Sequence, residues 1–84
     1  MKYTFTEEGW EDYQYWFATD KKTFIKINNL IKEIKRDPFK GMGKPEPLKY
    51  EYRGFWSRRI TEEHRLIYTV DNNDIIIVKC RHHY

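Results

Sequence analysis

Ten residues in the middle of the chain, PFKGMGKPEP at 38–47, contain three prolines and two glycines and separate two stretches with different apolar periods. Before them, apolar residues recur at helical spacing. After them they come in short runs rich in β-branched and aromatic residues. Helices therefore belong to the first part and strands to the second, which predicts an α+β domain with its helices layered on a sheet. Pro38 sets the boundary, because the residue before a proline is pushed out of the helical region. Ordered structure is expected to resume at once after Pro47, so the segment reads as a loop and residues 1–84 as one domain.

Within the first part, Tyr3, Thr4 and Phe5 alternate faces as a short strand. Thr6 can cap a helix whose first turn carries Glu7 and Glu8, which suit its positive end. Trp10, Tyr13 and Phe17 fall at i, i+3 and i+7 and predict a core-facing stripe on a helix ending near Thr19. Asp20 can cap a second helix, with Phe24, Ile27, Leu30, Ile31 and Ile34 on one face and an end at Arg36 or Asp37. In the second part, strands are expected at 48–52, 55–60, 66–70 and 75–81, joined by turns short enough for an antiparallel meander. The expected order is β-α-α-β-β-β-β, with two antiparallel helices packed on one face of a mostly antiparallel sheet.

A chain of 84 residues buries only roughly 60 to 65% of the surface it exposes when unfolded, so its core must be efficient. An aromatic content of 18% supplies large buried areas from few residues. The single cysteine, Cys80, excludes an internal disulfide. No apolar run is long enough for a signal peptide or a membrane span, which points to the cytoplasm and to no membrane partner. The net charge of +3 is uneven: residues 1–37 hold seven basic and seven acidic side chains, residues 38–84 nine and six. An anion-binding surface is therefore expected in the second part.

Arg58, Arg59 and Arg65 lie on one predicted hairpin there, and guanidinium matches phosphate oxygens in two-pronged fashion, so nucleic acid is the first partner to consider. Alternation along the strands puts Trp56, Ile60, Leu66, Tyr68, Val70, Ile76, Val78 and Cys80 under the helices. Ser57, Arg59, Arg65, Thr69, Lys79, Arg81 and His83 then share the other face, with Arg58 and His82 as exceptions, and a bulge would invert any strand. Each feature also has a plain reading. Glu46 can be a solvated loop acid, alternate arginines a solvated sheet face, and the terminal histidines a frayed end. Cys80 and His82 are too few for zinc, and adjacent His82 and His83 point apart. Gly41-Met42-Gly43-Lys44 lacks the helix that follows a phosphate loop.

Three segments change the balance: KPEPLK at 44–49, GFWSRRITEEHRL at 54–66, and the terminal His83-Tyr84. Over its whole length the chain resembles the YoeB-type toxins of the RelE superfamily, ribonucleases paired with antitoxins. The resemblance implies a RelE-like sheet capped by helices and cleavage of messenger RNA in the ribosomal A site. It also implies functional residues at Glu46, Arg65, His83 and Tyr84, with Lys49, Arg59 and Arg58 supporting RNA binding. The implied partners are a YefM/Phd-type antitoxin, the ribosome with its mRNA, and a second copy in a homodimer. No cofactor is implied. RNA cleavage without a metal needs a base for the 2′-hydroxyl, a cation for the charged phosphorane and an acid for the leaving 5′-oxygen. Glu46, Arg65 and His83 can take these roles in that order, and Tyr84 offers a ring for stacking. The competing readings are a non-catalytic RNA-binding module and a fold relative that poisons another target such as gyrase.

Overall fold

The computed structural model describes residues 1–82. Among the described residues the elements run β1 (Tyr3–Phe5), α1 (Glu7–Thr19), α2 (Lys21–Arg36), β2 (Glu46–Pro47), β3 (Phe55–Arg59), β4 (Arg65–Asp71) and β5 (Asp74–Lys79), with a 3-10 turn at Tyr50–Tyr52. They form one sheet in the order β1-β5-β4-β3-β2, parallel between β1 and β5 and antiparallel elsewhere. The two helices cover one face, giving the expected α+β layers. No helix of the described residues is long and apolar enough to cross a membrane.

Capping defines the helices. The Thr6 hydroxyl accepts from the Gly9 N–H at 3.1 Å and donates to the Val78 carbonyl at 2.9 Å, so one side chain starts α1 and fastens it to β5. Asp20 serves both helices. Its N–H donates to Trp16 and closes α1, while its carboxylate accepts from the Thr23 N–H and hydroxyl at 3.3 and 2.8 Å and opens α2. From α2, Ile27, Leu30, Ile31 and Ile34 meet Ile60, Leu66, Tyr68, Ile75, Ile77 and Cys80 of the sheet side.

The expected core stripe on α1 is a different one. Trp10 is 48% and Phe17 61% exposed, whereas Trp16 is buried. Gly9, Asp12 and Trp16, also spaced i, i+3 and i+7, turn toward the sheet: a Cβ on Gly9 would lie 2.5 Å from the Ile77 carbonyl oxygen, and the other two side chains bond the Cys80 main chain. A glycine and an aspartate in that stripe hide it from any reading based on hydrophobicity. Trp10, Tyr13 and Phe17 instead join a lateral chain of ring contacts that includes Phe5 and Phe24.

Three strand expectations also change. The second strand lies at Glu46–Pro47, not at 48–52, because Tyr50 adopts φ 58° and turns the chain into the 3-10 segment. Prolines on either side of Glu46 are tolerated since β2 is an edge strand. In β5 the parity is reversed. Ile67 pairs with Lys79 but Tyr68 with Ile77, so Val78 is an unpaired extra residue, and Ile75 and Ile77 face the core while Ile76 and Val78 are only partly buried. That strand also ends at Lys79 instead of continuing to residue 81.

Arg58, expected among the RNA-binding residues, has a different place. It is fully buried on the helix side, where its Nε donates to the Tyr68 hydroxyl at 3.0 Å, Nη1 to the Met42 carbonyl at 2.9 Å, and Nη2 to the carbonyls of Asp37 and Lys40 at 2.6 and 3.0 Å. Tyr68 in turn donates to the Pro38 carbonyl at 2.6 Å. The guanidinium is thus committed to ordering the loop after α2 and has no route to an external phosphate.

Arg58→Met should lower stability by about 3 kcal/mol, because several charge-assisted hydrogen bonds are lost together. The exposed Arg59→Met should stay within about 0.5 kcal/mol. Urea unfolding of both variants checks this, and equal effects would contradict the division between the faces. A second expectation concerns Asp12, whose carboxyl is pushed above its ordinary value mainly by burial, against the lowering effect of the Cys80 N–H. A carboxyl raised on folding adds stability below its unfolded pKa that is lost as pH rises through the folded value. Asp12→Asn removes this titration, so the variant should gain on the wild type as pH rises from the ordinary carboxylate range through the raised folded value. A pH-independent difference in urea midpoint would exclude it.

Candidate functional site

On the face away from the helices, register assembles the site. Glu46 of β2 stands opposite Ser57 of β3, and Ser57 opposite Ile67 of β4. One step along, Arg59 stands opposite Arg65. Positions 46, 57, 59, 65 and 67 therefore share a face. Strands about 4.8 Å apart and a two-residue advance of about 7 Å put the α-carbons of Glu46 and Arg65 about 12 Å apart. A group the size of a phosphodiester, held between those two side chains, fits that span.

The paired arginines stand out physically. Like charges directly across a strand pair are unfavourable, so such a pair is costly unless an anion lies between them or other groups share the charge. Arg59 is exposed, and its N–H donates to the Gly43 carbonyl at 2.7 Å, which holds the loop beside β3. Arg65 is half-buried, and its Nη1 donates to the carbonyls of Thr61, Glu62 and His64 at 2.7, 3.1 and 3.0 Å. The turn between β3 and β4 thereby orients the guanidinium plane. Thr61 closes that turn through its hydroxyl, which accepts from the N–H groups of Glu63 and His64.

Lys49 and Glu46 line a shallow depression of about 380 Å³ whose wall runs through to Tyr52. Tyr50 in that wall is 84% exposed and has a left-handed backbone. An aromatic ring presented beside Glu46 was not anticipated, since the expected strand at 48–52 gave it an ordinary place in the sheet. The combination Lys-Tyr-Glu-Tyr followed by Arg-Gly is the turn signal that could have revealed it.

Other expected members lie elsewhere. Arg58 is inside, as described above. Lys79 turns toward α1, with Nζ 3.7 Å from Glu8 Oε2, and the Arg81 guanidinium sits 3.6 Å from the ring centroid of Tyr15 on α1. Cys80 is a packing thiol, pushed up to about 12 by burial, and the exposed His82 is no partner for it. His83 and Tyr84 lie outside the described residues. Their predecessor is well placed, because the His82 carbonyl accepts from the Arg65 N–H at 3.0 Å. Among the described residues no three His, Cys, Asp or Glu side chains gather as metal ligands.

Comparison with known proteins finds relatives over the whole length of the chain. Toxin YoeB of Escherichia coli strain K12 is 58% identical over 84 residues, covering the whole of both chains. The structure of the YoeB dimer from Staphylococcus aureus is 49% identical with a TM-score of 0.92, covering 100% of this chain and 98% of that one. The YoeB-YefM complex from the same organism matches at 48% identity and a TM-score of 0.92, over the same shares. A family profile described as a YoeB-like toxin of bacterial type II toxin-antitoxin system matches residues 5–84, and the chain belongs to that family.

Proposed function

We propose that this toxin is an endoribonuclease that cleaves messenger RNA in the ribosomal A site and so halts translation. The reaction is attack of the ribose 2′-hydroxyl on the adjacent phosphorus, with departure of the 5′-oxygen and no metal ion. The observation that carries the proposal is the Arg59 and Arg65 pair, two guanidinium-bearing residues in register on the helix-free face with Glu46 on the same side. Such a pair favours a dianionic phosphorane over a monoanionic phosphodiester, which is the differential binding that speeds a reaction.

In this scheme Glu46 takes the proton from the 2′-hydroxyl and Arg65 balances the charge growing on the phosphoryl oxygens. His83 gives a proton to the leaving oxygen, and Tyr84 stacks on or hydrogen-bonds the substrate. Lys49 and Arg59 hold neighbouring phosphates. Arg58 takes no part in RNA binding. Support for a base at Glu46 comes from its position: a carboxylate on a paired strand between two prolines wanders less than one on a free loop.

The proposal extends to partners. The toxin acts in the cytoplasm, is neutralised by a YefM/Phd-type antitoxin, and forms a homodimer, as the Staphylococcus aureus relatives do with YefM and with a second copy. An acidic antitoxin segment that folds across the helix-free face would occupy the same arginines as RNA.

The test is cleavage of translated and of free mRNA, with Glu46→Ala as the control. Cleavage confined to translated message, and lost with Glu46→Ala, is expected. A Glu46→Ala variant as active as the wild type would refute the base assignment. Arg65→Lys keeps the charge but loses the two-pronged contact, so its single-turnover rate should fall on the order of 10²-fold or more. A near-normal rate would rule out a guanidinium-specific role. Activity should also survive EDTA once ribosomal magnesium is controlled for, and a loss that only added metal restores would exclude the metal-free mechanism.

A further inference from the structure

The turn that joins β2 to β3 is closed across its base, where the Leu48 N–H donates to the Phe55 carbonyl at 2.9 Å. Inside it the Tyr52 N–H donates to the Lys49 carbonyl at 3.1 Å and the Arg53 N–H to the Tyr50 carbonyl at 3.0 Å, and Gly54 completes the turn with φ +98°. Tyr50 itself has φ 58°. Glycine or asparagine takes that conformation at less cost, and a bulky side chain held there is an outlier that directs attention to what the side chain does. Its 84% exposure means that burial does not explain the choice of an aromatic. A single exposed ring is ordinary on a protein surface. A ring fixed at a strained position, in the wall of the depression that also holds Glu46 and Lys49, is not.

Its neighbours define a ligand. Along the edge made by β2 and β3, Gly43 bonds Arg59, Glu46 stands opposite Ser57, and Leu48 bonds Phe55. The Arg59 and Arg65 pair therefore lies toward one end of this row, the turn with Tyr50 at the other, and Glu46 between them. In an in-line displacement the attacking and leaving oxygens lie on opposite sides of phosphorus. A carboxylate that deprotonates the 2′-hydroxyl thus marks the side of the nucleotide 5′ to the cleaved bond, and the leaving nucleotide departs on the other side. Tyr50 is on the carboxylate's side. Four residues of fully extended chain span at most about 14 Å, and the turn shortens that distance, so a ribose held at Glu46 has its base within reach of the ring.

We propose that Tyr50 is a stacking platform for the base of the nucleotide on the 5′ side of the cleaved bond, the one whose 2′-hydroxyl attacks. This rests on the ribonuclease reading, which supplies the position of that hydroxyl. Every base has a π-face, so the subsite takes any nucleotide, and loss of one base–aromatic stack weakens binding by about 5- to 150-fold. The closed turn holds the ring in place before RNA arrives and leaves less to order on binding. Tyr50 transfers no proton in this arrangement. Removing its ring therefore raises the half-saturating toxin concentration more than it lowers the saturated rate.

The experiment compares Tyr50→Phe, which keeps the ring, with Tyr50→Asn, which suits the left-handed backbone and has no ring. Single-turnover cleavage of an all-ribose translated message gives the half-saturating concentration, and melting temperature checks that each variant folds. Two further messages carry a 2′-deoxy sugar at the cleaved position. One has 2-aminopurine as the base there, the other has it one nucleotide 3′, and the fluorescence of this base falls when it stacks on a ring. Tyr50→Asn should raise the half-saturating concentration about tenfold and Tyr50→Phe change it by less than about twofold. Quenching of the first probe should be lost in Tyr50→Asn and kept in Tyr50→Phe, with no difference between the variants at the second. Wild-type values for Tyr50→Asn, equal losses in both variants, or a difference at the second probe alone would overturn the proposal. Weakened antitoxin binding by Tyr50→Asn with message binding unchanged would overturn it too, and assign the ring to the antitoxin. If Tyr50→Asn does not fold, Tyr50→Gly, which suits the same backbone, takes its place. A wild type that leaves the all-ribose message intact would overturn the ribonuclease reading, whereas the fluorescence comparison needs no cleavage and still decides whether Tyr50 stacks on RNA.

Discussion

The buried guanidinium of Arg58 holds together the parts that build the site. A charge taken fully out of water is costly unless it is hydrogen-bonded, and here three main-chain carbonyls and the Tyr68 hydroxyl engage all three guanidinium nitrogens. The carbonyls belong to residues 37, 40 and 42, so the loop after α2 is drawn over β3. Gly43 completes the contact: its φ is +85°, and a Cβ there would crowd Leu30, Arg58 and the Arg59 carbonyl. The chain then enters β2 in the register that puts Glu46 opposite Ser57. The adjacent arginines of β3 divide the labour by alternation, Arg58 organising the loop inside and Arg59 facing the solvent.

The helix-free face combines a rigid sheet with charges that are poorly compensated by the protein itself. Arg59 and Arg65 gain nothing from facing each other, and the turn carbonyls that receive Arg65 Nη1 orient it as well as soften the repulsion. Sites that put binding ahead of stability show this pattern. The carboxylate comes from an edge strand between two prolines, where the chain is stiff and one side of the strand stays accessible.

Much of this was legible in the residues. The caps Thr6 and Asp20 and the stop at Pro38 mark the helices because their chemistry is local. The grouping of Arg59 with Arg65 followed from alternation, since β3 and β4 pair without interruption between Phe55 and Arg65. What escaped depends on distant partners. The unpaired Val78 reverses β5 through a mismatch with β4 that no single strand displays. Gly9 and Asp12 face inward because of Ile77 and Cys80, about seventy residues away. Arg58 looked like its neighbours because burial of a charge depends on acceptors that a loop supplies only once folded.

The central claim is that the helix-free face turns a ribose hydroxyl into the nucleophile. A messenger carrying one 2′-deoxynucleotide at the cleaved position, translated to that codon and mixed with the toxin in single turnover, tests it most directly. Attack by the 2′-hydroxyl predicts binding as to the all-ribose message with no cleavage at the substituted bond. Cleavage there at the normal rate would mean that water or another group attacks phosphorus, and that the roles assigned to Glu46 and Arg65 are wrong.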